Sequence, residues 1–367
     1  MKKFLAVLLA VAMVAGLCIG CGKEEAPAAD DAATEATDDA AAKDDTAAPA
    51  AEALIGFTFP TSNNEFWQIC IGYFEAACSQ LGCEYTYDDC NNDTAEQLTD
   101  VEAMISKGIT GLVLAPQDAS VIATVCAECK EAGIDVVIID RMPGDDVTAG
   151  EDYICFIGPD DATCGYNQTK ALIDSGCKKI VALCGFKGTS VAEGRYSGLS
   201  KALSENPDIE LLGEDWCGEN MDDGDKAIRN LLSAYPDLDG VWCYNDSLGL
   251  AAVNVMKEQG IIDKVHVGGM DGLSDAAKSI QSKEMFFTAG GHYMMPAMAS
   301  VVLYDKANGV DYAEDSVTKL TLLGITGEHV DDYIKNYIDS KETIDWAAKA
   351  KALNGGEDYA FATMLKW

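Results

Sequence analysis

The chain has 367 residues, 48% of them hydrophobic, and carries 61 acidic against 26 basic side chains for a formal charge of −35. That length and apolar content suit two ordinary domains with a substantial core, and the lack of any basic run excludes a nucleic-acid partner, whose phosphates need clustered Lys and Arg. The 14 cysteines lie mostly in apolar runs such as Tyr153-Ile-Cys-Phe-Ile157 and read as small buried hydrophobes, not as a disulfide framework.

Lys2 and Lys3 open the chain, and an apolar run over 4–17 comes next, shorter than the roughly 20 residues a spanning helix needs. It closes in Ile19-Gly20-Cys21, so residues 1–20 read as an export signal. A small residue before a cysteine resembles the bacterial lipoprotein cleavage site and makes Cys21 the lipid-bearing N-terminus. Cys18 is an alternative acceptor, and an uncleaved signal anchor is the other reading. Residues 22–52 are almost entirely Ala, Asp, Glu, Thr and Pro. Such a composition cannot bury enough surface to offset its ordering entropy, so 21–52 reads as a flexible acidic tether.

From residue 53 strand-like runs alternate with helical patterns. The first series of strands is predicted at 54–59, 84–87, 111–115, 135–139 and 154–157, the second at 179–184, 209–212, 240–244, 265–268 and 286–289. Helices are predicted at 66–81, 95–107, 119–132, 164–174, 192–206, 224–234 and 247–259, several of them ending at a glycine such as Gly82, Gly108 or Gly260. This alternation predicts an α/β fold with two doubly wound parallel-sheet lobes. Cys126 and Cys129 are spaced as CxxC, but inside a helical pattern and without a second pair, so no redox or zinc site is read there.

Ligands of such sheets sit beyond the carboxyl ends of the strands. There the sequence places Asn64, Phe66 and Trp67, then Asp140-Arg141, Tyr244-Asn245-Asp246 and Met270-Asp271-Gly272. Planar Asp, Asn and Arg groups meet vicinal hydroxyls pairwise, and aromatic rings cover a C–H face. Structural duties compete for the same residues. Asp140 and Asp271 suit helix caps, Arg141 and Arg195 suit surface ion pairs, Asn245-Asp246 suits a turn, and one of Phe66 and Trp67 suits the core. No nucleophile elbow, H-E-x-x-H, phosphate loop or G-x-G-x-x-G after a strand is present, and Asp222, Asp223 and Asp225 lack the ligand alternation of a calcium loop. The chain therefore reads as a binding protein, not an enzyme, with no cofactor and no metal.

The runs Asn63-Asn64-Glu65-Phe66-Trp67, Ile139-Asp140-Arg141, Tyr244-Asn245-Asp246 and Gly269-Met270-Asp271-Gly272, in that order within 53–325, resemble the ribose- and galactose-type periplasmic sugar-binding proteins. Their two-lobed fold, the periplasmic binding protein type I fold, is shared with the effector domains of lactose-repressor-like regulators. The resemblance implies one lobe from 53–158 plus 290–322 and another from 159–289 plus about 323–340, joined by hinge crossovers near 158–160, 289–292 and 322–324. The remaining 341–367 is a C-terminal extension expected to pack on the first lobe.

It also implies roles. Asn64 donates to a hydroxyl, Phe66 and Trp67 cover a ring, Asp140 and Arg141 grip hydroxyls from the first lobe, and Arg195, Asn245 and Asp271 answer from the second. Two positions depart from the family. His292 stands in the stretch where the family often has glutamine, and a satisfied structural histidine is the competing reading. Glu219 stands where a second-lobe aromatic is usual, a change that favours a polyol, an amino sugar or a cationic group, unless the loop is displaced and Trp216 supplies the ring. The implied function is capture of a monosaccharide outside the cytoplasm by a monomer, anchored to the outer face of the membrane through lipidated Cys21, and its delivery to an ABC transporter permease. The alternatives are a sensor component for a receptor kinase or chemoreceptor, or an importer's binding protein for a nucleoside or furanosyl signal molecule.

Overall fold

The computed structural model describes residues 53–339, 344–355 and 359–364; the expected export signal, Cys21 and the tether lie outside the described residues. In chain order the strands are β1 (Leu54–Phe59), β2 (Glu84–Asp89), β3 (Gly111–Leu114), β4 (Asp135–Ile139), β5 (Phe156–Pro159), β6 (Lys179–Cys184), β7 (Glu210–Trp216), β8 (Gly240–Cys243), β9 (His266–Gly268), β10 (Thr288–Gly290), β11 (Val317–Leu320) and β12 (Leu323–Ile325). The longer helices are α1 (Glu65–Leu81), α2 (Thr94–Lys107), α3 (Ile122–Ala132), α4 (Asp161–Asp174), α5 (Ser190–Glu205), α6 (Met221–Ala234), α7 (Asp246–Glu258), α8 (Ser274–Gln281) and α9 (Met295–Ala307).

The expected α/β fold with two parallel-sheet lobes is the one observed. The first sheet runs β11-β5-β4-β3-β1-β2 and the second β7-β6-β8-β9, every neighbouring pair parallel. β3 and β8 are buried at all four positions, as strands covered by helices on both faces must be. Helix ends obey local chemistry: Asp93 caps α2 through Ala95 N at 2.8 Å, and Gly82 and Gly108 end α1 and α2 in the left-handed region at φ 71° and 89°. In each sheet the strand order reverses beside its first strand, which opens a crevice at the carboxyl ends.

The chain crosses between lobes and returns. β10 pairs antiparallel with β12, and isolated bridges from Phe287 to Gly268 and from Gly290 to Asp271 tie its neighbourhood to the second sheet, while β11 joins β5 in the first. Neither β11 nor α9 was among the predicted elements. β11 is a largely exposed edge strand, Val-Thr-Lys-Leu, with no helical pattern before it to mark an α/β repeat. α9 is buried at every position from 295 to 305, so it has no polar face and therefore no amphipathic period. Predicted strand limits also shift: the run at 154–157 forms β5 two residues later, and β7 continues past 212 to Trp216.

The described part of the C-terminal stretch packs on the first lobe. Trp346, Ala350, Tyr359 and Phe361 belong to the same apolar core as Phe57, Phe59 and Phe74. Gln80 of α1 receives the Trp346 N–H at 2.7 Å and donates to the Ile344 carbonyl at 3.0 Å. Asp305, fully buried in α9, accepts from Lys351 N (2.8 Å), Ala352 N (2.9 Å) and the Tyr359 hydroxyl (2.9 Å). The cysteines of the described residues are free thiols, and burial pushes those of Cys126 and Cys129 up to about 12, which leaves them inert. No described helix is long and apolar enough to cross a membrane.

Trp346 is 1% exposed and meets Tyr73 edge-on at 6.4 Å. Trp346→Ala is expected to destabilise the folded chain by about 3–5 kcal/mol, read as a lower urea midpoint by circular dichroism.

Candidate ligand site

A small cavity of about 40 Å³ lies where the carboxyl ends of the two sheets face each other, and all ten residues singled out from the sequence line it. From the first lobe come Asn64, Phe66, Trp67, Asp140 and Arg141; from the second, Arg195, Glu219, Asn245 and Asp271; from the crossover after β10, His292. Val191 and Tyr244 complete the wall.

The aromatic side is assembled at the start of α1. Asn64 adopts an extended conformation, and its Oδ1 accepts the Trp67 N–H at 2.9 Å, so the cap uses the carboxamide oxygen and leaves Nδ2 as a donor. Trp67 stacks on Phe59 at 5.9 Å, Phe66 meets Trp67 edge-on at 5.1 Å, and His292 lies 4.7 Å beyond Phe66. Both rings are buried and both border the cavity, so neither is purely core.

Asp140 and Arg141 leave β4 through a turn in which Asp140 has φ 67°, a left-handed conformation for a residue with a side chain. Arg141 Nη1 donates to the carbonyls of Pro116 (3.2 Å) and Gln117. The carbonyl pair is itself fixed by Gln97, which accepts from Gln117 N at 2.7 Å and donates to Ala115 O at 2.9 Å. Arg141 Nη2 thus remains turned to other partners, the nearest being Glu219 at 3.7 Å across the cleft.

Arg195 is the most enclosed cation, 2% exposed. It reaches the cavity because α5 lies against α4 with almost no spacing: a Cβ at Gly165 would stand 1.9 Å from the Arg195 carbonyl oxygen, and one at Gly198 would stand 2.1 Å from that of Ala162. The contact brings Asp161, at the head of α4, to Arg195 Nε at 3.0 Å. Nη1 donates to the Tyr244 carbonyl at 2.8 Å, and the guanidinium lies 4.7 Å over the Tyr244 ring. Arg141 and Arg195 are therefore buried groups, not the surface ion pairs of the competing reading.

The acceptors are placed differently. Asp140 and Asp271 cap no helix, and among the described residues neither carboxylate accepts a hydrogen bond; the nearest guanidinium nitrogen stands 3.9 Å from each. Burial pushes both carboxyls up, Asp271 strongly, against the pull of the arginines. Asp271, like Asp140, sits at positive φ, 121°. His292 is 1% exposed, and burial with the nearby Arg195 charge holds its imidazole well below the usual range, hence neutral.

Asn245 is both cap and brace: its Oδ1 accepts Leu248 N at 2.9 Å, and its Nδ2 donates to the Glu219 carbonyl at 2.9 Å. Tyr244 OH donates to Glu219 Oε1 at 3.1 Å. Beneath them Asp246 is fully buried without a cation, accepting from Leu273 N (2.9 Å) and the Thr288 hydroxyl (2.6 Å). Three contacts join the lobes around the cavity: Arg141 to Glu219, Met142 N to Ser190 Oγ at 3.1 Å, and Ser274 N to Glu65 Oε1 at 3.1 Å.

Sequence reasoning missed Val191 and the positioning residue Asp161, and gave Tyr244, though placed at a strand end, no role of its own. Tyr244 reads as the end of a strand, and its hydroxyl and ring act only once β8 is placed beside α5. Asp161 has no motif; its signal is the glycine pair Gly165 and Gly198, which marks two helices in contact. The cavity is lined by hydroxyl-pairing groups and rings, and no Ser, Cys or Lys nucleophile is among its lining residues.

Comparison with known proteins gives a consistent picture. The periplasmic binding protein domain family matches residues 55–310. The xylitol-binding protein of Mycolicibacterium smegmatis is 26% identical over 263 residues, 71% of this chain and 73% of that protein. The ribose import binding protein of Bacillus subtilis is 27% identical, across 65% of this chain and 75% of its own. Among solved structures, an ABC transporter solute-binding protein from Mycobacterium smegmatis with bound glycerol is 28% identical, with a TM-score of 0.70, covering 77% of this chain and 96% of that one.

This geometry has two measurable consequences. Gly165→Ala is expected to push α5 from α4, lowering stability by about 1–3 kcal/mol or more in urea unfolding and displacing Arg195. Asp246 is pushed up to about 7 by burial, so its stabilising contribution is complete below the ordinary carboxyl value of 3.8 and is lost as pH rises through about 7. Between pH 4 and 7 the unfolding free energy of wild type should therefore fall relative to Asp246→Asn, by at most about 1.4 kcal/mol per pH unit, measured by urea titration at several pH values.

Proposed function

The chain belongs to the periplasmic binding protein domain family, and from that premise we propose that it captures a monosaccharide or related polyol between its lobes and delivers it to the permease of an ABC importer. The observation that carries this reading is the pair of buried carboxylates, Asp140 and Asp271, that accept no hydrogen bond from the described residues, while the Nη2 groups of Arg141 and Arg195 donate none to them. Buried polar groups left unpaired are costly, so the site is complementary to a molecule that brings paired donors and acceptors. Vicinal hydroxyls do so, and Phe66 and Trp67 offer apolar faces to the C–H side of a ring. Relatives named for xylitol and ribose bind molecules of this chemical class.

Arg141 and Glu219 approach from opposite lobes, so a ligand gripped by Asp140 and Arg141 on one side and by Arg195 and Asp271 on the other draws the same surfaces together. Closure of this kind presents one shape when occupied and another when empty, which is what a permease must distinguish. In this reading the protein acts as a monomer outside the cytoplasm, held to the outer face of the membrane by lipidated Cys21 on the tether 21–52.

Thermal unfolding of the purified chain with a panel of pentoses, hexoses, polyols and nucleosides tests the proposal. A sugar or polyol at a hundred times its Kd should stabilise by about 2.7 kcal/mol, and Asp140→Ala or Arg195→Ala should abolish that gain. No shift from any sugar or polyol, or full retention of the shift in both variants, refutes it.

A further inference from the structure

The cavity holds more acidic groups than cations. Asp140, Asp271 and Glu219 line it against Arg141 and Arg195, three carboxyl groups against two guanidinium groups, and Asp161 behind Arg195 adds a fourth carboxyl. Asp161 engages Arg195 through a direct hydrogen bond at 3.0 Å. Arg141 approaches Asp140 and Glu219 only at 3.9 and 3.7 Å, and Arg195 approaches Asp271 only at 3.9 Å, all too long for hydrogen bonds. His292 does not close the gap, because it is held neutral; its Nε2 stays 3.6 Å from Asp271, and its buried Nδ1 has no partner among the described residues. Asp140 and Asp271 are each 8% exposed, so neither is relieved by solvent.

An unpaired carboxyl in such a place gains either a proton or a cation; burial favours the proton at Asp140 and Asp271, which leaves Glu219 to meet a cation. A metal ion is not the answer, since no group of three His, Cys, Asp or Glu among the described residues is arranged to hold one. A positive charge carried by the ligand is. Glu219 is the group best placed to meet it: its Oε1 takes the Tyr244 hydroxyl at 3.1 Å, while Oε2 accepts no hydrogen bond from the described residues. Its backbone is pinned by Asn245, so the carboxylate is presented from a fixed point of the second lobe. The guanidinium edges of Arg141 and Arg195 repel a bare cation, but they accommodate one that arrives on a frame whose hydroxyls face them.

Resting on the sugar or polyol reading above, we propose that the ligand carries one protonated amino group, as in an amino sugar or an amino-polyol, with its ammonium set against Glu219. Glu219 is then the residue that selects amine over hydroxyl, while Asp140, Asp271 and the two arginines read the hydroxyl pattern.

The test is isothermal titration of the purified full chain at pH 7 with matched sets: glucose, glucosamine and N-acetylglucosamine; the galactose and mannose equivalents; and myo-inositol beside an amino-inositol. The N-acetyl compounds keep the nitrogen and remove its charge. In at least one set the free amine should bind about tenfold or more tighter than its neutral parent, equivalent to about 1.4 kcal/mol, and the N-acetyl form should not. Glu219→Gln should bring the amine-to-parent affinity ratio close to one, a comparison made between ligands on the same variant and so insensitive to its overall stability. Neutral parents that bind as well as or better than their amines in every set overturn this inference and leave sugar capture standing. An undiminished ratio in Glu219→Gln overturns the role of Glu219, and failure of every compound to bind overturns both readings.

Discussion

Keeping the Arg195 guanidinium charged inside the protein is the constraint around which the cleft is organised. Desolvating an isolated cation costs several kcal/mol even after relaxation, so each of its faces is answered. Asp161 takes Nε, the Tyr244 carbonyl takes Nη1, and the Tyr244 ring lies beneath the plane. None of these contacts exists unless α4 and α5 lie closer than side chains permit, which Gly165 and Gly198 allow. The consequences propagate: Tyr244, fixed by Arg195, holds Glu219, and Glu219 faces Arg141 of the other lobe. The same cation, together with burial, keeps His292 neutral and so leaves Asp271 without a second positive neighbour.

Against that well-satisfied cation stand carboxylates that are underserved. Asp140 and Asp271 combine positive φ, burial and a lack of hydrogen bonds from the described residues, three costs in one residue each. The surrounding fold supports them: β4 is buried at its last four positions, and Asp246 beneath the site is locked by Leu273 N and the Thr288 hydroxyl. In the proposed function, a scaffold with an unsatisfied centre would couple binding to closure, because the ligand's donors would supply the hydrogen bonds missing from the empty cleft. Around the cavity the lobes meet through polar contacts, Arg141 with Glu219, Met142 N with Ser190 Oγ and Ser274 N with Glu65 Oε1.

Much of this was legible in the sequence because parallel sheets impose a strict order. Strands such as β3 and β8 are continuous apolar runs, and residues just past the carboxyl end of a buried strand face the crevice, so Asp140, Arg141, Asn245 and Asp271 stood out by position alone. Several of the features that escaped were set by tertiary contact. α9 is buried on all sides and lost its period; β11 is a short polar edge recruited across a large gap in sequence; Asp161 acts on Arg195 only through the glycine-mediated packing of two helices. Asn245 lines the cavity and also uses its carboxamide to cap α7 and brace the Glu219 loop.

The double duty of Asn245 bears on how such a site acquires selectivity. A carboxamide is both donor and acceptor and by itself discriminates little. Here the backbone resolves the ambiguity: α1 consumes the oxygen of Asn64, leaving a donor, and α7 with the Glu219 carbonyl consumes most of Asn245. Arg195 likewise gives Nε to Asp161 and Nη1 to the Tyr244 carbonyl, presenting Nη2, and Arg141 gives Nη1 to main-chain carbonyls. The cavity is thereby reduced to donors of fixed direction from Asn64 and the two arginines and acceptors from Asp140, Asp271 and Glu219. Polarity at each point of the wall is thus dictated by what the helix ends and strand ends require for themselves, so a ligand is recognised by its fit to hydrogen-bonding obligations the fold has already met.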